Sequence, residues 1–301
     1  MTELQLSPNF SLKAANELAH AHVAHIARCN GIRVLSIKGP VADHYGLREP
    51  RVAADADVIV EPERVDELCA LIQGYGWHRR IERDVPALLG HHSITLIRSN
   101  WPNDIDVHLF FPGFFGDRAA VFDALWRSHT TLTLANTDVN IPSRAGAAVI
   151  AALHCVRYTR SDRHADELRL VTAAVNDTFT DHEKAEFAEI AAIGRAQWVL
   201  ADTLNHIGLD HSDDATAEEQ RLWTRNRRTI EDGSAVSWLA AVRNSPLLHK
   251  PGVIFRALWI SRDDIPRNDP SVRPTLSEAW SHRMLRWTRG ARAIRRQLRD
   301  R

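Results

Sequence analysis

Apolar positions recur at helical spacing at Leu12, Ala15, Leu18, Ala19, His22, Val23 and Ile26, behind the potential cap Ser11, and predict a helix over residues 11–29. The pattern then shortens. Val34 to Ile37 is a four-residue apolar or small run ending in Lys38, Gly39 and Pro40, which predicts a strand, a tight turn and a short helix. Residues 55–60 predict a second strand, and residues 64–73 a helix with Val65, Leu68, Leu71 and Ile72 inward, stopped by Gly74 and Gly76. A strand is expected at 77–81 and a short irregular or helical piece at 84–89. A hairpin of strands over 93–98 and 104–110 turns through residues 99–103. The aromatic and glycine run FFPGFFG (110–116) suits a flexible pocket wall or a plug in the core.

A helix over 117–127 and two extended pieces, 131–134 and 138–141, lead to Pro142. Beyond it the period is helical almost throughout: 145–158, 164–175, 181–193 and 195–206, then a polar loop at 210–219 before a further helix. The fold class expected is α+β, a mixed sheet flanked by helices and followed by a mostly α-helical domain. The boundary falls near residue 142, giving domains 1–142 and 143–301.

Composition narrows the picture only a little. With 44% hydrophobic and 25% charged residues in 301, the chain has ordinary globular usage, and its 38 basic and 38 acidic side chains balance. Overall charge therefore makes no case for nucleic-acid binding. Charge is local instead: residues 282–301 hold eight arginines against one aspartate, fringing a stripe of Leu285, Thr288, Ala291, Ile294 and Leu298. Such a helix could meet RNA phosphates or an acidic partner, or be a solvated face. The three cysteines, Cys29, Cys69 and Cys155, are odd in number and far apart, which favours a reducing compartment over a disulfide scaffold. No signal-peptide pattern and no apolar run of membrane-spanning length is present, so a cytoplasmic location without membrane partners is expected.

The candidate chemistry sits between Val34 and Val60. Successive strand side chains point to opposite faces, so Asp55 and Asp57 share one face, about 7 Å apart, a spacing at which carboxylates can share hard divalent cations. A helix starting at Gly39-Pro40 would aim amide N–H groups at the same strand edge, a place suited to phosphate. Phosphate cradle followed by metal carboxylates points to nucleotide chemistry. On the later strand Asp104, Asp106 and His108 share a face, opposite Ile105, Val107 and Leu109. Among the histidines, His20, His22 and His25 suit a solvated or partly buried helix, and only His22 and His25 share a face of it. His91 and His92 are placed to reach a pocket mouth, and His154, within AAVIAALHCVRY, is expected to be a satisfied buried histidine. Arg157, Arg160 and Arg163 could address phosphates or be surface charge.

These residues, in this order, resemble the uncharacterised nucleotidyltransferases of the DNA polymerase beta superfamily. The shared pattern is a strand ending in Lys38-Gly39, a short helix with Tyr45, Arg51 four residues before Asp55-x-Asp57, and a strand ending in Asp106-x-His108; Gly74-Tyr75 fits it too. The likeness covers roughly residues 30 to 110. It implies a catalytic domain over 1–142, and nucleoside monophosphate transfer from an NTP to a protein, peptide, RNA or small-molecule hydroxyl. The cation would be Mg2+, with Mn2+ an alternative. Asp55, Asp57 and Asp106 would be catalytic and hold the metal, with Asp104 competing for the third place. Lys38, Gly39 and Arg51 would face the triphosphate, and His108 would support a carboxylate. The chain departs from the pattern where the superfamily usually has Gly-Ser and this sequence has Lys38-Gly39. That keeps open a degenerate fold acting as a partner protein, for instance in peptide maturation or a toxin-antitoxin system. A glycosyltransferase using Asp55-x-Asp57 for a nucleotide sugar is disfavoured, because the motif follows the first strand by only about twenty residues, with the Lys38-Gly39 turn between, leaving little room for a larger nucleotide-binding half.

Overall fold

In the computed structural model the chain is described over residues 11–80, 92–99, 101–232, 234–262, 265 and 274–299. Ser11 accepts a hydrogen bond from the Ala14 amide and opens α1 (Leu12–Cys29). Its buried face is rotated from the expected one. Asn16 and His20 face inward, whereas Leu12 and Leu18 are exposed. The polar pair finds partners in the sheet: Asn16 Nδ2 donates to the Asp55 carbonyl at 2.8 Å, and His20 Nδ1 lies 2.8 Å from Ser36 Oγ. Those bonds offset the cost of burying polar groups, so alanines and two polar residues win the interface over leucines.

The chain continues through β1 (Val34–Ile37), α2 (Gly39–His44), β2 (Asp55–Val60), α3 (Val65–Gln73), β3 (His78–Arg79), β4 (Ser93–Ile97) and β5 (Asp104–His108). The strands form one five-stranded sheet in the order β1-β2-β5-β4-β3. It is mixed: β2 and β5 run parallel, and the other pairs are antiparallel. The expected strand at 77–81 is reduced to two residues, and 84–89 and His91 lie outside the described residues.

Period-two alternation divides the strands between two cores. Val34, Val58, Val60, Ile105 and Val107 pack under α1 and α3 with Val23, Leu68 and Ile72. Leu35, Ile37 and Ile59 face the opposite way, into the larger core. Phe111 and Phe114, buried there, settle the FFPGFFG run as a core plug rather than a flexible wall.

α4 (Arg118–Arg127), capped by Asp117, is followed by a separate hairpin of β6 (Thr130–Leu134) and β7 (Thr137–Ile141). Its two-residue turn puts Ala135 and Asn136 at positive φ, the geometry that matches strand twist. α5 (Arg144–Val156), α6 (Asp162–Thr178), α7 (Asp181–Ile193) and α8 (Ala201–His206) complete a unit that runs to Thr216. The boundary expected at residue 142 falls inside this unit, because α5 buries Ala145, Val149, Ile150 and Leu153 in the same core as β1. Small residues permit that approach: a Cβ on Gly146 would lie 3.0 Å from Leu125 Cδ2. The helix expected at 195–206 begins only at Ala201, after Arg195 takes positive φ.

A second unit holds α9 (Ala217–Asp232), α10 (Ser234–Asn244), α11 (Lys250–Leu258) and α12 (Leu276–Arg299). On α12 the inward residues are Ala279 and Arg283, not the predicted stripe, of which Leu285, Thr288 and Ala291 are exposed. Arg283 lies over the Trp259 ring at 4.0 Å and donates two hydrogen bonds to the Ile260 carbonyl. Bonds to a carbonyl and a ring face let a guanidinium take a core position. The side chains of Ile294 and Leu298 lie outside the described residues. Among the described residues no helix is long and apolar enough to cross a membrane.

Candidate functional site

Parallel pairing of β2 with β5 sets Asp55 beside Asp104 and Asp57 beside Asp106, with Ile59 beside His108. Because side chains alternate, all four carboxylates emerge on the face that carries Leu35 and Ile37, toward α5. The face grades from apolar to acidic along β2, from Ile59 in the core through buried Asp57 to half-buried Asp55.

Asp57 is the most enclosed of the acids. Its Oδ1 receives both Lys38 Nζ, at 2.5 Å, and His108 Nε2, at 2.9 Å. Burial pushes the Asp57 carboxyl up, but Lys38 and the His108 bond together outweigh it and hold the group well below the usual carboxylate range. Its neighbours go the other way. Burial, then the adjacent Asp57, raise Asp106, against the pull of a 2.6 Å bond from Thr95 Oγ1. Burial, then Asp106, Asp57 and Asp104, push Asp55 up to about 6. The strands thus hold one firmly ionised carboxylate beside two that resist ionising until further positive charge arrives.

Lys38 reaches Asp57 from a strained turn. Its backbone has φ +56°, a region that non-glycine residues rarely enter, and Gly39 follows at φ +34°. A Cβ on Gly39 would stand 3.2 Å from Ala53 Cβ, so glycine lets the turn close against the loop leading to β2. The expected row of unpaired amides is largely absent, since Pro40 has no N–H and the Val41 and Ala42 amides donate back to the Lys38 carbonyl. Tyr45 is a strut: its hydroxyl donates to the Pro142 carbonyl at 3.0 Å.

Arg51 lines the cavity beside Lys38 and Asp55, and it is paired with the buried Glu167 of α6. Arg163, one turn earlier, stands 4.0 Å from the same carboxylate. Arg48 grips Asp43 with two bonds of 2.6 and 3.0 Å and donates to the Arg51 carbonyl, fixing the loop before β2. Together these elements enclose a cavity of about 320 Å3 whose charged lining includes Lys38, Arg51, Asp55, Asp57, Arg163 and Glu167. The size falls in the range of small-molecule sites. Cys155 also lines it, its thiol pushed up to about 12 by burial and so not poised as a nucleophile.

The donor atoms that converge are those of Asp57, Asp106 and His108, all within 4.8 Å of one another. Two carboxylates and an imidazole fit a divalent cation chemically, and the set departs from the expected Asp55, Asp57 and Asp106 by exchanging Asp55 for His108. Asp55, less buried than Asp57, is a neighbour of this group. His108 is held against Asp57, not Asp106, so its support falls on the β2 carboxylate.

The sequence pattern gave no reason to rank the other histidines of the site. His92 packs on the His108 ring at 5.7 Å, and burial followed by Arg157 pushes it down to about 3. His154 projects into the cavity from α5, and contrary to expectation it is not satisfied: its Nδ1 is sealed from solvent without a partner. An i, i+4, i+10 spacing of His154, Tyr158 and His164 was the available signal, and these three rings form one cluster.

No family model matches the chain, and no curated protein matches it in sequence. Among solved structures it is similar to an antigenic nucleotidyltransferase-like protein from Paracoccidioides brasiliensis, with 11% identity and a TM-score of 0.38 over 64% of this chain and 93% of that one. It is also similar to the antibiotic-resistance factor ANT(2'')-Ia, with 14% identity and a TM-score of 0.40 over 64% of this chain and 96% of that one.

Proposed function

We propose that the chain is a divalent-cation-dependent nucleotidyltransferase, moving a nucleoside monophosphate from an NTP to a hydroxyl-type acceptor. The observation that carries this reading is the parallel β2–β5 register, which brings Asp57, on the cavity wall, side by side with Asp106 and close to His108. Asp57 and Asp106 would hold the cation, with His108 completing the donor set or orienting Asp57. Mg2+ suits the oxygen donors and Mn2+ suits the set with imidazole. When bound, such a cation supplies positive charge at the phosphoryl oxygens.

The remaining roles belong to side chains. Lys38 Nζ, now on Asp57, would transfer to a phosphate oxygen once a cation takes over the carboxylate, so one residue links nucleotide to metal. Arg51 would offer the guanidinium N–H groups that Glu167 leaves free. Asp55, which lines the cavity and whose raised carboxyl makes it the better proton acceptor of the β2 pair, would take the proton of the acceptor hydroxyl. The test is incubation with each alpha-labelled NTP, Mg2+ or Mn2+ and a cell extract, followed by identification of whatever carries label. Asp55→Asn with Asp57→Asn should abolish transfer; undiminished labelling by that variant would refute the assignment.

One observation favours a second reading, a transferase fold used as a binding partner. Both cations expected on the triphosphate, Lys38 and Arg51, are already seated on protein carboxylates. Calorimetry with ATP and GTP, with and without Mg2+, separates the two: the partner reading requires no metal-dependent nucleotide binding by the pure protein.

A further inference from the structure

The α5 wall of the cavity is unlike the strand wall. Ala147, Ile150, Ala151 and His154 fall at i, i+3, i+4 and i+7, so they form one stripe along the helix, apolar for two turns and ending in an imidazole. Of these, Ala151 and His154 reach the cavity's open surface, which exposed Val52 also lines, while Ala147, Ile150 and Val41 are buried behind it. The result is an apolar slot continuous with the charged end formed by Lys38, Asp55 and Asp57. His154 is the one feature of the stripe that apolar packing does not explain. Its Nδ1 is buried with no partner, whereas Nε2 is not among the sealed atoms. A bare lone pair costs less in a buried place than an unsatisfied N–H, so the ring carries its proton on Nε2, the nitrogen left to meet a ligand. Burial, with Lys38 next, keeps the imidazole neutral.

We propose that this slot receives the nucleoside portion of the ligand, the base lying against Ala151 and Val52 while His154 Nε2–H donates to a base or ribose acceptor. The inference rests on the nucleotidyltransferase reading and adds which wall reads the nucleoside. It makes His154 a specificity-determining residue whose effect is confined to the part of the ligand beyond the phosphates.

The experiment compares binding of ATP, GTP, CTP and UTP with that of inorganic tripolyphosphate, by calorimetry on the full chain with Mn2+. Wild type should bind at least one NTP more tightly than tripolyphosphate. His154→Phe, which keeps the ring and removes the donor, should weaken that NTP about five- to tenfold, the loss expected of one neutral hydrogen bond, and leave tripolyphosphate unchanged. His154→Gln, which restores a donor, should recover most of the loss, and Ala151→Trp, which fills the slot, should block the NTP but not tripolyphosphate. Equal affinity of wild type for NTP and tripolyphosphate, or equal losses of both in His154→Phe, would overturn the slot while leaving the phosphate and metal site standing. Failure of wild type to bind any triphosphate with Mn2+ would overturn both proposals.

Discussion

Asp55→Asn should make the protein more stable and the site worse. In the cation-free protein burial, then the charges of Asp106, Asp57 and Asp104, push the Asp55 carboxyl from 3.8 up to about 6. Across the window between those values the native state keeps a proton that the unfolded chain has released. Stability therefore falls as pH rises through that window and levels off above about 6. At about 1.4 kcal/mol per pH unit the full shift amounts to ~3 kcal/mol, and the partial exposure of Asp55 reduces this to about 1–1.5 kcal/mol. Asparagine removes the charge while keeping the shape, and the Asn16 bond to the Asp55 carbonyl does not involve the side chain. Urea denaturation in the presence of a chelator, from pH 4 to pH 8, should show the variant equal to wild type at the acid end and about 1 kcal/mol more stable at pH 7 and above. Titration with Mn2+, followed by electron paramagnetic resonance, should show weaker binding by the variant, because the repulsion removed is the repulsion that a cation relieves. A variant less stable than wild type at pH 7.5, or a difference independent of pH, would refute the picture of strands loaded against their own charge.

Two further outcomes follow from the ion pairs. Lys38→Ala should weaken nucleotide affinity more than metal affinity, since the lysine competes with a cation for Asp57 but serves the phosphate; calorimetry showing equal losses of both would count against the phosphate role. Arg51→Ala leaves the buried Glu167 carboxylate with the more distant Arg163 at 4.0 Å and should cost about 1–2 kcal/mol in chemical denaturation. Adding Glu167→Gln should restore most of that loss, and a double variant as unstable as the single would show that the pair is not what holds the loop.

Short-range pattern carried much of this molecule. Alternation along residues 55–60 and 104–108 was enough to say that Asp55 and Asp57 share one face of their strand, and Asp104, Asp106 and His108 one face of theirs, because strand period is a property of the backbone alone. The α+β class, the hairpin of β4 and β5 and the helices after Pro142 were legible for the same reason. Other features required the assembled fold. Which residues of α1 face the sheet depended on partners 16 and 39 positions away, Ser36 and Asp55, so hydrophobicity alone chose the wrong flank. Parallel pairing of β2 with β5, separated in sequence by α3, β3 and β4, decided that His108 rather than Asp55 joins Asp57 and Asp106. The pairing of Arg51 with Glu167 and the meeting of Lys38 and His154 at one cavity join the loop or strand wall to helices more than 90 residues later in the chain. Local periodicity says which way a side chain points; only closure of the chain says what it meets there.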